Sequence, residues 1–167
     1  MRKNNKGFSL VELIVVVLIM AIVAVALAPQ VVRWVENSRI ATDMETRNTL
    51  EKAAQFALSD EEAFKEVQNG GYEVHVEKQN GVTTVTCVPE ATVSTDKFWK
   101  NFFKEMQCVD YASFQDSIEI KCNPSNGPKI NMIIYVYENG HTFSTLEGFG
   151  SAEISEISST GVPSAVD

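Results

Sequence analysis

The chain has 167 residues, 14 of them basic and 22 acidic, a net charge of −8 and 44% hydrophobic side chains. That length holds one domain with a proper core plus a membrane segment, and it excludes two large domains. The acidic balance repels phosphate backbones, so nucleic acid is not an expected partner of the domain as a whole.

Arg2, Lys3 and Lys6 precede an apolar run from Phe8 to Ala28, 21 residues in which only Ser9 and Glu12 are polar. A helix of that length rises about 30 Å, one hydrocarbon core. The three cations hold their end on the cytoplasmic side, which sends the remainder outward. Without Met1 to Gly7 that remainder carries 11 basic against 22 acidic residues, a net charge of −11. Glu12 is the single ionisable side chain in the run. A carboxylate in hydrocarbon costs about 2.5–3.5 kcal/mol, so it calls for a partner.

Three explanations compete for this segment. A secretory signal would end at Ala26-Leu27-Ala28, but the run exceeds the usual ~7–15 apolar residues of such signals. It also carries Glu12 near its start and meets Pro29 directly after the candidate exit. A plain anchor accounts for length and flanking charge and leaves Glu12 and the Gly7-Phe8 junction unused. The third explanation uses all of them. The stretch Lys6-Gly7-Phe8-Ser9-Leu10-Val11-Glu12-Leu13 resembles the class III signal of type IV pilins and of the related pseudopilins of type II secretion and competence systems.

The resemblance implies that a prepilin peptidase cuts between Gly7 and Phe8, that Phe8 becomes the methylated N-terminus, and that Glu12 is the acidic residue needed for assembly. Cleavage would create an α-amino cation at Phe8, four residues from the Glu12 carboxylate. A pair between subunits is expected from the resemblance, and a pair within one helix is the local alternative.

Past Pro29 the helical spacing persists. Ile40, Met44, Leu50, Ala54, Ala57 and Leu58 fall within an arc of roughly 140°, with Arg47 the charged residue inside it. Glu36, Arg39, Asp43, Glu45 and Glu51 are expected on a solvated face. Pro29 lacks an N–H and opposes the carbonyl of Val25, so a kink or local melting is expected there.

From Asn69-Gly70-Gly71 onward the period alternates. Tyr72 to Glu77, then Asn80-Gly81, then Val82 to Val88 read as a hairpin. Phe98, Trp99, Phe102, Phe103 and Met106 recur at helical spacing behind a cap at Asp96 or Thr95 and are expected in the core. The interleaved Lys97, Lys100 and Lys104 allow a nucleic-acid or adhesion patch as the alternative, against which the acidic surroundings count. Ile118 to Cys122 and Ile130 to Tyr137 read as strands, and Asn139-Gly140 leads into a further strand from His141 to Leu146. The tail from Gly150 to Asp167, with alternation at Ile154 and Ile157, is a candidate edge strand.

Cys87, Cys108 and Cys122 allow one internal disulfide at most. Cys108 with Cys122 closes the shortest loop, and three reduced thiols are the equal alternative. His75 and His141 are isolated, and no zinc spacing, phosphate-binding glycine loop or EF-hand pattern is present. Asn123-Pro124-Ser125 has proline in the middle of its would-be glycosylation site. No enzyme activity, cofactor or metal is expected. The C-terminus lacks a second apolar segment, so Met1 to Ala28 is expected to supply any membrane attachment.

These readings give an α+β chain with a long N-terminal helix packed on a small antiparallel sheet. The expected organisation is a cleaved leader (1–7), a transmembrane and polymerisation helix (8–28), its amphipathic continuation (29–58) and a globular head (59–167). The resemblance covers Lys6 to about Leu58, with specific motifs only over the first dozen residues. It implies a pilin precursor in the cytoplasmic membrane that becomes a cell-surface filament, with copies of itself, the peptidase, and an assembly platform and ATPase as partners. A minor pilin or pseudopilin is the alternative within the family. A monomeric membrane-anchored binding domain is the alternative outside it, and an extracytoplasmic enzyme ranks third.

Overall fold

A computed structural model of the chain describes residues 9–89, 96–122 and 130–148. The Gly7-Phe8 junction, the Thr95 alternative cap, Asn123-Pro124-Ser125 and the tail strand around Ile154 and Ile157 lie outside the described residues. The chain divides into two compact units, Met1–Ser38 and Arg39–Asp167. Helix α1 (Leu10–Ala57) supplies the described residues of the first unit and continues into the second.

The second unit is built on four antiparallel strands, β1 (Tyr72–Gln79), β2 (Val82–Val88), β3 (Ile130–Val136) and β4 (Thr142–Glu147), in the order β2-β1-β3-β4. The expected hairpins are present. Asn80 and Gly81 both adopt positive φ (53° and 82°) between β1 and β2, the backbone of a tight two-residue turn. Between β3 and β4, Gly140 N–H donates to the Tyr137 carbonyl and Tyr137 N–H to that of His141. Gly140 (φ 82°) also lies so close to Phe64 that a Cβ there would meet the ring at 2.6 Å.

Alternation fixes the faces. Tyr72, Val74 and Val76 of β1 and Ile130, Met132, Ile134 and Val136 of β3 point inward and are buried. They meet Leu50, Ala53, Ala54 and Ala57 of α1 in one hydrophobic core, with Ile40, Met44 and Leu58 packed at its edge. The arc read from helical spacing is thus the face that the sheet covers. Polar contacts hold the same seam: Gln55 Nε2 donates to Thr142 Oγ1 at 2.9 Å and Ser144 Oγ to Glu51 Oε2 at 2.6 Å.

Two short helices went unread in the sequence. Helix α2 (Glu61–Val67) is capped by Asp60, whose carboxylate accepts from the N–H groups of Glu62 and Ala63. Helix α4 (Tyr111–Ser117) opens on a capping box between Asp110 and Ser113. Between them lies α3 (Lys97–Glu105), which buries Phe98, Trp99, Phe102 and Phe103. The aromatic stripe is core, with the Phe98 and Trp99 rings at 4.7 and 5.3 Å from Tyr72. Asp96 stands at the N-cap position of α3 but makes no side-chain cap bond. Its carboxylate accepts from the Tyr72 hydroxyl, and Glu66 of α2 accepts the Phe98 N–H instead.

The expectations for Glu51, Asp43 and Ile118 to Cys122 are corrected: Glu51 is half-buried in the seam with Ser144 instead of solvated. Asp43 is fully buried instead of solvated, and its carboxylate accepts from Lys121 N–H at 2.7 Å and Cys122 N–H at 2.9 Å. Residues Ile118 to Cys122 form no strand. Ile118, Ile120 and Cys122 alternate into the core as an extended chain would, yet side chains satisfy its backbone groups. Thr83 Oγ1 accepts from Ile120 N–H, and Lys78 Nζ, itself buried, donates to the Ile120 carbonyl at 2.5 Å. A buried backbone group needs a partner, and a well-placed side chain serves as well as a neighbouring strand.

Candidate assembly and membrane segment

The first unit is described by its helix. Between Leu10 and Val35, eighteen large apolar side chains are each more than 40% exposed. Fully burying such a side chain is worth about 1.5–3 kcal/mol, so leaving eighteen in water would cost on the order of tens of kcal/mol. That exceeds the whole stability of a typical domain, about 5–15 kcal/mol. The surface must therefore be covered, by lipid or by protein. Among the described residues α1 is the helix long and apolar enough to cross a membrane, and none of its most apolar window is buried within the chain. A core helix of a soluble domain would be mostly buried.

The sequence dictates this segment locally. Valine, leucine, isoleucine and alanine fill it without a glycine from Phe8 to Ala28, and a helix satisfies every internal backbone group where no water can. Glu12 lies in the first turn of α1, where its Oε2 accepts from Ser9 N–H at 2.9 Å. This is the carboxylate half of a capping box, and the spacing Ser9-Leu10-Val11-Glu12 is its signal. Ser9 N–H thus serves Glu12 as a hydrogen-bond donor within its own chain. Pro29 sits inside α1, and the helix is unbroken across it.

The candidate cysteine pair lies in the second unit. None of the three cysteines is disulfide-bonded in the structure. Cys108 is half-buried, and its thiol donates to the Met106 carbonyl at 3.3 Å and to Ser117 Oγ at 3.5 Å. Cys122 is buried beside the Asp43 clamp, and burial pushes the Cys87 thiol up to about 12. His75 pairs with Glu73 at 2.7 Å on the outer face of β1, and His141 precedes β4, with its N–H bonded to Asn139 Oδ1. Among the described residues, no group of three or more His, Cys, Asp or Glu side chains is placed to hold a metal.

Besides Glu51, half-buried where it accepts from Ser144 Oγ, sequence reasoning misplaced Asp43. At 100° per residue Asp43 falls between Leu50 and Ala54 on the apolar arc, so helical phase was the available signal and its charge obscured it.

Residues 2–28 match the family model of the prokaryotic N-terminal methylation motif. No curated protein and no solved structure matches the chain. The motif and the exposed apolar helix fit a membrane-anchored precursor of the pilin or pseudopilin kind. That motif at the start of the chain, followed by a long helix packed on a four-stranded antiparallel sheet, supports a type IV pilin-like protein.

Proposed function

We propose that the chain is a structural subunit that polymerises through its N-terminal helix into a type IV pilus filament. The observation that carries this reading is the apolar surface from Leu10 to Val35, exposed on every side of the helix. Before assembly, lipid covers it. A prepilin peptidase cuts between Gly7 and Phe8 and Phe8 is methylated. The segment then leaves the membrane and buries the same side chains against neighbouring copies. Trp34, 66% exposed, lies about 36 Å along the helix from Leu10, at the level of the outer headgroups where tryptophan is enriched.

Glu12 gives the exchange its direction. In the precursor its carboxylate accepts from Ser9 N–H. After cleavage the Phe8 amine of a neighbouring copy offers a full positive charge, which attracts far more strongly in low dielectric than a neutral N–H does. Trading lipid for protein contacts yields little net driving force per residue, so an assembly platform and its ATPase supply the work.

The test is Glu12→Ala in the source cells, with surface filaments sheared off and their N-terminal peptide identified by mass. The wild-type chain is expected in the filament fraction, starting at N-methylated Phe8. The variant is expected in the membrane with sheared yield lost. A variant that reaches the surface fraction undiminished would support the anchored binding domain instead. A wild-type chain that is processed at Phe8 but stays in the envelope would support a pseudopilin.

A further inference from the structure

The head of this chain carries two complementary surfaces that cannot meet within one molecule. The first is the outer face of the sheet. Its register places Glu73 opposite Tyr135 and Tyr135 opposite Phe143, with Asn131 opposite Glu147 four residues along. The Tyr135 ring lies 6.3 Å from Tyr137 and 6.4 Å from Phe143, at interplanar angles of 16° and 25°. The Tyr135 and Phe143 rings therefore lie beside Glu73 on the way to Glu147, and Tyr137 flanks Tyr135 on the side away from Asn131. Burial first, and then the charges of Glu73 and Glu147 with Tyr137 between them, push the Tyr135 hydroxyl up. The carboxylates are thus close enough to act on it.

The second surface is the exposed side of α3. Its aromatic side chains face Tyr72, which lies on the inner face of the sheet. Lys100 and Lys104 are left exposed on the helix's other side. Lys97 is held by Glu62, Lys65 by Glu61 and Lys121 by Glu119. Lys100 and Lys104 have no ion-pair partner among the described residues, and the sole acid next to them in α3 is Glu105. The inner-side helix and the outer face of the sheet lie on opposite sides of the same strands.

We propose that Lys100 and Lys104 of one copy dock on the outer sheet face of the next, between Glu73 and Glu147 and against the rings of Tyr135 and Phe143. The contact rests on the filament reading above and adds to it the surface by which heads recognise one another. Charge complementarity selects a second copy as the occupant. A chain with net charge −11 beyond Gly7 repels its own copies unless cations meet acids at the contact. An ammonium between carboxylates and over aromatic faces gains from both. Because the two patches differ, the contact is head-to-tail, the kind that builds a helical filament when its rotation does not close.

Charge reversal tests it in the full chain, expressed in source cells lacking the native copy, with sheared filament yield read against chain level in the membrane. Lys100→Glu with Lys104→Glu, and separately Glu73→Lys with Glu147→Lys, are each expected to lower yield about tenfold at unchanged chain level. The chain carrying all four reversals, and the two double variants expressed together, are expected to recover filaments. Misfolding cannot produce that recovery. Wild-type yield from either double variant alone overturns the contact, as does failure of both the fourfold chain and the mixture. A wild-type chain that forms no filament overturns the filament reading first and this contact with it. Loss of binding to another cell's surface, with filament yield intact, would assign the sheet face to an external partner and overturn the contact between copies.

Discussion

Helix α1 carries apolar side chains at helical density in both units, and they meet opposite fates. From Leu10 to Val35 the side chains are large, encircle the helix and are exposed. From Leu50 to Ala57 the buried positions are mostly small, Leu50, Ala53, Ala54 and Ala57, on one face alone. A helix apolar all round has to be covered from outside, whereas one with a single apolar stripe can be covered by its own domain. The small residues let the sheet approach closely. The large ones keep their surface for lipid or for other chains.

That contrast predicts where mutations register. Trp99, 1% exposed, contacts the rings of Tyr72, Phe102 and Phe103. Trp99→Ala is expected to destabilise the head by about 3–5 kcal/mol, read by urea unfolding of the full chain in detergent. Leu18, 58% exposed, is the counterpart in the first unit. Leu18→Ala is expected to leave head stability within about 0.5 kcal/mol. An equal loss from both would erase the distinction between the two units.

A smaller effect sharpens the comparison inside the second unit. Asp43→Ala removes the acceptor for Lys121 and Cys122 N–H. Stranding a buried donor costs about 1–3 kcal/mol, so a loss on the order of 3 kcal/mol is expected. Hydrogen exchange at those two amides should accelerate before the rest of the head opens. Uniform acceleration would mean that the clamp does not act locally.

The smallest effect depends on pH. The Tyr72 hydroxyl donates to Asp96 Oδ2 at 3.2 Å, and burial, followed by the Asp96 charge, pushes it up from 10.0 to about 12. Below pH 10 folded and unfolded chains both keep the proton, and the stabilisation is fully present. As pH rises through 10 towards 12 the unfolded chain releases the proton first, so stability falls. Tyr72→Phe is expected to flatten that fall between pH 10 and 12 in urea midpoints, while Glu12→Ala in the first unit leaves it unchanged.

The local devices were legible in the residues alone. Continuous apolar residues specify the N-terminal helix, Asn80-Gly81 and Asn139-Gly140 mark the hairpins, and period-two alternation sets the inward faces of β1 and β3. These depend on neighbours a few residues apart. Distance in sequence hid the rest. Asp43 reads as solvated because its charge is visible and its acceptor duty to Lys121 and Cys122 is not. Ile118 to Cys122 reads as a strand because alternation reports an extended chain and is silent about what pairs with it. Glu66 caps α3 across 32 residues, where local reading assigns that task to Asp96. Only the tertiary structure could decide these, because a buried polar group is satisfied by whichever partner the fold brings within reach.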